Sequence, residues 1–571
     1  MKIKNFYTIS IAFTAAIGGF LLGFDGSVIS GAAPFYKSFF NLNNDSLIFG
    51  FSVSCIIWGA IFGNLFAGKL SDKFGRKPAL LLSAILFLCS SLITALAGNI
   101  TIFIAGRIMA GVGVGIAILL APVYIAEIAP PKKRGWLVSF NQLLIVIGLS
   151  AAYFSNYFIL NAIHDPLINW RWMLGIEAFP SLLYFIFLFF IPESPRWLIM
   201  KNKDEKAISI LEDICGKEHA IIEYDHIKKS LQHTINANTL SHAKEFFSGK
   251  MKLTLIIGFG LAILQQFSGI NAVLYYAPMI FESAGGARDT AFMQAIVLGL
   301  VFMITTIASM FFIDKLGRKP LLFAGVGIMS VSLLVTGFAF KNASYTINIA
   351  SINSVANQIF KDEVFLQAKK TTPGLITYSK INLNGDYAEV FYENNPSIQI
   401  PYANSNLSKG VENRNQFIKA IISLKGQKFN DELTFLASVK KVLKTKQNID
   451  QYLSLVLKES INVNSLLVLL SILGFITGFS ISLGPVMWAM FSEIFPNHLR
   501  GFAISAVGVA NSISSFLVAT FFPIQLATFG SSTTYFIYAG FMIFCFWFVW
   551  KYVVETKGKS LEEIEKELIK A

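Results

Sequence analysis

The chain contains two copies of one charged motif. The segment Asp72-Lys73-Phe74-Gly75-Arg76-Lys77-Pro78 recurs 242 residues later as Asp314-Lys315-Leu316-Gly317-Arg318-Lys319-Pro320. Two further matches follow in the same order: Glu127 corresponds to Glu493 and Glu193 to Glu555, at offsets of 366 and 362 residues. A parallel repeat of two halves explains all three matches. The change in offset from 242 to 366 also predicts an insertion of about 120 residues in the second half.

Apolar runs occupy most of the sequence. It is 54% hydrophobic and 14% charged, whereas a soluble domain has about 25% charged residues. A membrane-spanning helix needs about 20 apolar residues. Twelve runs reach about that length: 6–30, 47–70, 78–97, 100–126, 136–160, 172–191, 252–280, 291–313, 320–340, 463–490, 501–523 and 533–553. The predicted fold is an all-α membrane protein with twelve transmembrane helices in two six-helix pseudo-repeats.

The repeat and the apolar runs predict the organisation of the chain. It consists of an N-terminal six-helix half (1–191), a cytoplasmic helical connector (192–251), a C-terminal half (252–340 and 463–553) interrupted by an external insert (341–462), and a cytoplasmic tail (554–571). In the insert, the sequence around Asn384-Gly385 predicts a β-hairpin. Residues 413–460 have apolar side chains at helical spacing. A small α+β domain is expected there, with a disordered loop as the alternative.

The net charge of +13 is carried largely by basic residues in alternate short loops. This distribution predicts that both termini are cytoplasmic, and it argues against a role in nucleic-acid binding. We expect an integral protein of the plasma membrane, or of a bacterial inner membrane, that functions as a monomer in the lipid bilayer. The four cysteines predict no disulfide framework. The sequence shows no metal cluster, nucleophile triad or phosphate loop, so we expect neither an enzyme nor a cofactor.

Two ionisable residues stand out within the apolar runs. Asp25 is the only charged residue between Lys4 and Lys37, and Arg107 begins the glycine-rich part of the fourth run. Placing such a charge at membrane depth costs about 2.5–3.5 kcal/mol on insertion scales. We therefore expect the two residues to pair and to serve proton or ion coupling. The alternatives are an acid that reaches the membrane interface and a static structural ion pair.

Several motifs together resemble the sugar porter family of the major facilitator superfamily, with bacterial sugar:proton symporters the most similar. The resemblance covers the whole chain except the insert, and the matching segments are 68–77, 106–115, 192–198, 265–271, 484–488 and 555–560. It implies proton-coupled import of a monosaccharide, a hexose or a pentose, by alternating access. In the proton-coupled relatives, an arginine matching Arg107 pairs with the acid matching Asp25.

Three amides in the seventh run are candidates for binding sugar hydroxyls. Gln265, Gln266 and Asn271 lie close together, and amides both donate and accept hydrogen bonds, as a sugar requires. Hydrogen bonding between helices is the alternative role for this cluster, and for Asn271 in particular. The resemblance adds two further amides, Gln142 and Asn511.

The same resemblance implies an aromatic platform and a gate. Trp488 resembles the tryptophan on which the sugar stacks, although simple packing is the alternative. Gly484 and Pro485 break the helix just before it. Tyr275 and Tyr276 are expected at the outer gate, with an interfacial position as the alternative for Tyr276.

Three positions depart from the family pattern. Phe302 replaces an asparagine found in many relatives, Ser512 replaces a common tryptophan, and Leu22 replaces a common phenylalanine. The particular sugar therefore stays open. The alternatives are a facilitator, a proton-coupled transporter for inositol or another polyol, and a transporter-like nutrient sensor. Some inositol carriers of the family also have long external inserts at this loop.

Ten charged residues are predicted to act as cytoplasmic latches. They form two matched sets, which link helices and halves when the protein faces outward. The residues are Asp72, Arg76, Glu127, Arg134, Glu193, Asp314, Arg318, Glu493, Arg500 and Glu555.

Overall fold

The structure is a computed structural model of the 571-residue chain. It describes residues 2–42, 45–130, 134–234, 246, 251–348, 351–352, 354–355, 380–384, 387–392, 395–401, 421–442, 456–457, 459–496, 499–559, 563–564 and 568. The tail predicted at 554–571 is thus described only in part.

Long helices build the first half. Their bounds are Lys2–Phe39, Ser46–Phe74, Arg76–Leu96, Ile100–Ile128, Arg134–Ala162, Asn169–Gly175 and Ala178–Leu188. The first helix packs on Arg134–Ala162, and Ser46–Phe74 packs on Ile100–Ile128. The last two helices form one apolar span with a short break at residues 176–177.

The second half repeats this pattern with more interruptions. Its helices are Lys252–Phe267, Ile270–Tyr275, Ala277–Ser283, Arg288–Leu316, Arg318–Lys341, Ser465–Ile481, Pro485–Ile494 and Arg500–Tyr552. The connector contributes the helices Pro195–Met200, Asp204–Cys215 and Lys217–Thr234. The connector helix Pro195–Met200 packs on the first half, where Trp197 Nε1 donates to the carbonyl oxygen of Asp72 at 3.1 Å.

Within the described residues, eleven helices are long and apolar enough to cross a membrane. The eleventh, Arg500–Tyr552, has 53 residues and covers both of the last two predicted runs. A straight helix of that length would extend about 80 Å, more than twice the thickness of the bilayer core, which is about 30 Å. Gly530, with φ 75° and ψ 168°, interrupts it between the two runs.

The sequence repeat is also a structural repeat. Gly75 and Gly317, at φ 111° and 96°, each precede a helix. A carboxylate receives the first backbone N–H group of each helix: Glu193 Oε1 accepts from Arg76 N at 2.9 Å, and Glu555 Oε1 accepts from Arg318 N at 3.0 Å. We call the end of the bundle that carries these carboxylates the charged end, and the end that carries residues 341–462 the insert end.

The insert contains two small antiparallel sheets. One has the order β5-β1-β6, from Lys428–Phe429, Ser344–Thr346 and Ile461–Asn462. The other has the order β2-β3-β4, from Lys380–Asn384, Tyr387–Tyr392 and Asn395–Pro401. Asn384 lies opposite Tyr387, so the two strands of the hairpin predicted around Asn384-Gly385 pair as expected, while Gly385 itself lies outside the described residues. The described part of 413–460 includes the helix Glu432–Val442.

The insert is attached to the second half. Phe435 packs against Tyr345 and Phe429, with ring centroids 5.4 and 5.5 Å apart. Glu432 Oε2 accepts from the backbone N–H group of Ser531 at 2.9 Å, next to the interruption at Gly530. The insert therefore rests on the junction between the last two predicted spans.

Candidate functional site

A cavity of about 250 Å³ lies between the two halves. This volume is near the lower limit of small-molecule pockets, which begin at roughly 300 Å³, so the cavity suits a small ligand. Residues of both halves line it, including Gly23, Gly26, Gln142, Ile145 and Leu149 of the first half. The second half contributes Gln265, Gln266, Asn271, Tyr275, Phe302, Thr306, Phe479, Ser480, Gly484, Pro485, Trp488 and Asn511. The structure thus brings together all six residues predicted to bind substrate.

Four amides form one hydrogen-bonded wall of the cavity. They reach it from three helices because Gly269, at φ 87°, separates Lys252–Phe267 from Ile270–Tyr275, and Asn511 lies on Arg500–Tyr552. Gln266 Nε2 donates to Gln265 Oε1 at 3.1 Å and to Asn511 Oδ1 at 3.0 Å. Asn271 Nδ2 donates to Gln266 Oε1 at 2.9 Å and to Ser515 Oγ at 2.6 Å.

These bonds determine what the wall offers to a ligand. Asn511 Nδ2 donates to Gln265 Oε1 at 2.7 Å and to the carbonyl oxygen of Ala262 at 2.8 Å. An amide nitrogen carries two hydrogens, so Gln266, Asn271 and Asn511 have used all their donors within the protein. Carbonyl oxygens remain, chiefly Asn271 Oδ1 and the second lone pairs of Gln266 and Asn511. Gln265 Nε2 donates to the carbonyl oxygen of Leu483 at 2.7 Å and keeps one hydrogen. The wall therefore presents mainly acceptors, which suit the O–H donors of a ligand.

Two predicted residues face the cavity from other directions. Gln142 is exposed on Arg134–Ala162, and Trp488 is 44% exposed on Pro485–Ile494. Ring packing constrains Trp488 little, since its one aromatic neighbour is Phe491 at 5.7 Å among the described residues. Its accessible face favours a platform for a ligand over a packing role. Gly484 and Pro485 place it by ending the preceding helix near Ser482.

Asp25 and Arg107 form a fully buried ion pair directly behind the cavity wall. Arg107 Nη1 donates to Asp25 Oδ1, and the two side chains are 2% and 1% exposed. The neighbours of Asp25 along the chain, Gly23 and Gly26, line the cavity. Asp25 Oδ2 and Arg107 Nε and Nη2 have no hydrogen-bond partner among the described residues. A buried charge pair with unfilled hydrogen-bonding positions is costly, which is typical of a functional site.

A third buried charge belongs to this group, and the sequence analysis did not single it out. Glu177 is 3% exposed, lies at the break between Asn169–Gly175 and Ala178–Leu188, and interacts electrostatically with both Asp25 and Arg107. Its Oε1 has no partner among the described residues. The signal was present, because Glu177 lies inside the apolar run 172–191. A charge at membrane depth is as costly at Glu177 as at Asp25.

The two predicted gate tyrosines occupy different positions. Tyr275 lines the cavity and lies close enough to Asp25 and Arg107 to interact electrostatically with both. Tyr276 is 2% exposed, donates to the carbonyl oxygen of Ala519 at 3.1 Å, and contacts the ring of Phe49 in the other half. This burial is inconsistent with the alternative of an interfacial position for Tyr276.

Polar contacts between the halves lie towards the insert end. Ser54 Oγ is 2.6 Å from Thr520 Oγ1. Ser150 Oγ donates to the carbonyl oxygen of Gly299 at 3.0 Å, and the Tyr153 hydroxyl donates to that of Leu274 at 2.8 Å. The cavity is therefore closed at the insert end.

The predicted latch residues form matched clusters, one in each half. Arg76 donates to both oxygens of Glu127 at 3.0 and 3.1 Å and to Asp72 at 3.1 Å. Arg318 donates to Glu493 at 2.8 Å. Ser194 and Thr556 each donate a hydroxyl at 2.5 Å, to Glu127 and Glu493 respectively.

The latch prediction also includes links between the halves in the outward-facing protein, and these links stay a prediction. The ion pairs Arg76–Glu127 and Arg318–Glu493 each join residues of one half. The clusters thus bind helices within a half. Arg500 is half-buried, and its Nε and Nη2 have no hydrogen-bond partner among the described residues. The side chains of Arg134 and Asp314 lie outside the described residues.

The two helix-capping carboxylates differ in their electrostatics. Burial raises the pKa of Glu193, and the N–H groups of Ser194, Lys77 and Arg76 offset this only in part. Burial also acts to raise the pKa of the Glu555 carboxyl, but N–H groups of Lys557, Arg318 and Lys319 outweigh it and hold that pKa below its ordinary value. The motif therefore stabilises the ionised carboxylate of Glu555 in the second half more than that of Glu193 in the first.

The family model described as "Sugar (and other) transporter" matches residues 11–360 and 449–568. The chain belongs to the sugar porter family. The unmatched stretch of this sugar porter, 361–448, falls inside the insert predicted at 341–462.

Known sugar porters match along nearly their whole length. The D-xylose-proton symporter of Escherichia coli strain K12 is 30% identical over 99% of this chain and 96% of its own length. Probable inositol transporter 2 of Arabidopsis thaliana is 33% identical over 99% of this chain and 92% of its own length. The inward-open structure of the E. coli xylose transporter XylE has a TM-score of 0.66 and 28% identity, over 98% of this chain and 99% of that one.

Proposed function

We propose that this sugar porter imports a monosaccharide, a hexose or a pentose, together with a proton by alternating access. One observation carries the proposal: a small cavity lined by amides lies between the halves, directly in front of the buried Asp25–Arg107 pair. The amides and Trp488 suit a ligand with many hydroxyls and an apolar ring face. The ion pair suits a proton, because a carboxyl binds a proton and both burial and a neighbouring arginine change its proton affinity.

Coupling would follow from the change in surroundings of Asp25. In this state Asp25 is fully buried and paired with Arg107, and Tyr275 of the cavity lining interacts with both residues. Opening of the insert end would separate the helices around the pair and admit water. Since burial and a nearby opposite charge both change the proton affinity of a carboxyl, each conformation would bind the proton differently. Glu177 is the candidate third member of this relay.

The proposed topology has twelve spans, with the charged end and both termini in the cytoplasm. The interruption at Gly530 supports two spans within Arg500–Tyr552, and the basic loops at the charged end support the orientation. The insert would then be external, in a plasma or bacterial inner membrane, and the state described here would face inward. Because the charged clusters are already formed while the insert end is closed, we propose that they stiffen each half. A monomer suffices, since the cavity is complete within one chain.

Uptake by the purified full-length chain in proteoliposomes tests the proposal. We expect labelled D-xylose or D-glucose to accumulate above equilibrium when a pH gradient drives protons in the same direction, and a protonophore to abolish this accumulation. Asp25→Asn should abolish accumulation but leave exchange of sugar across the membrane. Asp289→Asn, at an exposed position, is the matched control and should behave as the unmodified chain. Accumulation that survives in Asp25→Asn would rule out the coupling role.

A second candidate is proton-coupled transport of inositol or another cyclic polyol. The 33% identity to an inositol transporter and the acceptor-rich amide wall favour it, because a cyclic polyol also presents hydroxyl donors. Including myo-inositol in the uptake panel separates the two candidates. Equilibration without dependence on the gradient would instead indicate a facilitator. The nutrient-sensor alternative would show specific binding without transport.

A further inference from the structure

Among the described residues, one fully buried hydroxyl that lines the cavity has no protein partner. Thr306 is 3% exposed and lines the cavity from the helix Arg288–Leu316, and its Oγ1 has no hydrogen-bond partner among the described residues. Threonine in an apolar helix commonly donates to the carbonyl four residues earlier. Thr305, Thr336 and Thr477 all do so, at 2.6, 2.9 and 2.8 Å. Thr306 is therefore an exception in the same membrane environment.

The surroundings of Thr306 are apolar. Phe302 precedes it by one helical turn and is 8% exposed, and Phe479 lies 6.4 Å from the Phe302 ring. Ser480 also lines this corner, but its hydroxyl is 2.5 Å from Thr305 Oγ1 and donates to the carbonyl oxygen of Thr477 at 3.1 Å. Thr306 Oγ1 is thus the hydrogen-bonding group that this aromatic corner leaves available.

We propose that the Thr306 hydroxyl binds one hydroxyl group of the transported sugar and contributes to substrate selection. The inference rests on the proposed function and assigns a further residue to the same site. Leaving a buried hydroxyl without a partner is costly, and a ligand hydroxyl in the cavity removes that cost.

Thr306 and Phe302 together determine where the helix Arg288–Leu316 offers a hydrogen bond to the ligand. Many members of the family have an asparagine at the position of Phe302, so this chain lacks a polar contact there. Thr306 lies four residues further along the same helix, which is about 6 Å closer to the charged end. The hydrogen-bonding group of this helix is therefore displaced by one turn, and the selected sugar hydroxyl lies nearer the charged end of the cavity.

Binding measurements on the full-length chain in proteoliposomes test this role. Thr306→Val keeps the shape of the side chain and removes the hydroxyl, so we expect the Kd of the best-bound sugar to rise about tenfold. Thr306→Ser keeps the hydroxyl and should bind nearly as the unmodified chain does. Thr336→Val is the matched control: it removes a buried hydroxyl of the same half that is bonded to Ser332 and Ser471 away from the cavity, and it should leave the Kd unchanged.

Monodeoxy sugars then identify the hydroxyl and distinguish a contact from a structural effect. If Thr306 contacts one hydroxyl, the analogue lacking that hydroxyl should bind Thr306→Val and the unmodified chain equally, while the other analogues retain the tenfold difference. Equal affinity of both proteins for the whole panel would overturn the inference and leave sugar transport intact. A uniform loss for every analogue would also overturn it, because that pattern indicates distortion of the cavity. Failure of the unmodified chain to bind any sugar would overturn the proposed function itself.

Discussion

Individual side chains decide the chemistry of the cavity through the hydrogen bonds they have already made. The amide donors of Gln266, Asn271 and Asn511 are all used within the protein. Sequence inspection identifies these residues as amides with both donors and acceptors. Their mutual bonding in three dimensions converts them into a wall of acceptors.

Fluorinated sugars test this property of the amide wall. Fluorine can accept a weak hydrogen bond but cannot donate one, so replacing a wall-facing hydroxyl by fluorine should weaken binding as much as removing that hydroxyl, about tenfold in each case. Competition by matched deoxy and deoxyfluoro analogues against a labelled sugar measures the two losses of affinity. A fluoro analogue that binds as tightly as the parent sugar would show that the wall donates.

At the scale of elements, the two helix-capping carboxylates predict an asymmetry between the halves. Glu555 accepts through both oxygens, from Arg318 N and Lys319 N at 3.0 Å each. Glu193 accepts its two short bonds, from Arg76 N and Ser194 N, through Oε1. Its Oε2 accepts one longer bond, from Lys77 N at 3.3 Å. A glutamine can replace one accepting oxygen but not two. We therefore expect Glu555→Gln to lower the thermal unfolding temperature at neutral pH more than Glu193→Gln does.

The contribution of each glutamate to stability depends on pH, and the direction of its pKa shift gives the sign. The folded-state pKa of Glu555 is lowered, so its contribution to stability is present above the ordinary carboxyl pKa and is lost as pH falls through the lowered value. The folded-state pKa of Glu193 is raised, so stability falls as pH rises through that raised value. Thermal unfolding in detergent between pH 4 and pH 7 measures both trends. Equal losses for the two variants at every pH would contradict the expected asymmetry.

The junction within Arg500–Tyr552 depends on one glycine. Gly530 has φ 75° and ψ 168°, a conformation that is essentially restricted to glycine. An added Cβ would have space, with Glu432 Oε2 the nearest atom at 3.6 Å, so the cost of substitution lies in the backbone. We expect Gly530→Ala to reduce the free energy of unfolding by about 1–3 kcal/mol.

Gly540 is the control for this prediction. It lies in the same helix with no atom within 4 Å of an added Cβ, and glycine inside a helix is less stable than alanine by roughly 0.5–1 kcal/mol. Gly540→Ala should therefore be neutral or stabilising. Thermal unfolding in detergent compares the two variants, and similar effects at both positions would contradict the requirement for glycine at Gly530.

At the scale of the whole molecule, transport requires the halves to separate at the insert end. They now meet there through Ser54 and Thr520, whose hydroxyl oxygens are 2.6 Å apart. We expect Ser54→Cys combined with Thr520→Cys, in a chain whose four native cysteines are replaced, to form a disulfide under oxidising conditions. This bond should reduce sugar uptake to background, and a reductant should restore it.

Each single cysteine variant serves as a control, because it cannot form the cross-link within one chain. Uptake that continues in the fully cross-linked protein would mean that the halves need not separate at this point. The measurement therefore tests the conformational cycle independently of which sugar is carried.

Much of the architecture followed from local patterns in the sequence. Apolar runs of about 20 residues predict spans because the bilayer core has a fixed thickness. The repeated Gly75-Arg76 and Gly317-Arg318 motifs, with Glu193 and Glu555, predicted two matched halves, and the structure forms the same contacts in both. The structure departs from these patterns at Gly530, because one helix, Arg500–Tyr552, covers both of the last two predicted runs.

The sequence by itself determined the family, the membrane-spanning helices and the residue types of the cavity, because hydrophobic length, charge position and motif spacing are local properties. Only the tertiary structure decided which hydrogen bonds those residues complete. It assigned the amide donors of Gln266, Asn271 and Asn511 to partners within the protein, placed Glu177 beside Asp25 and Arg107, and left the Thr306 hydroxyl without a partner. The reason is physical: a hydrogen bond depends on distances between side chains far apart in the chain, and only packing sets those distances.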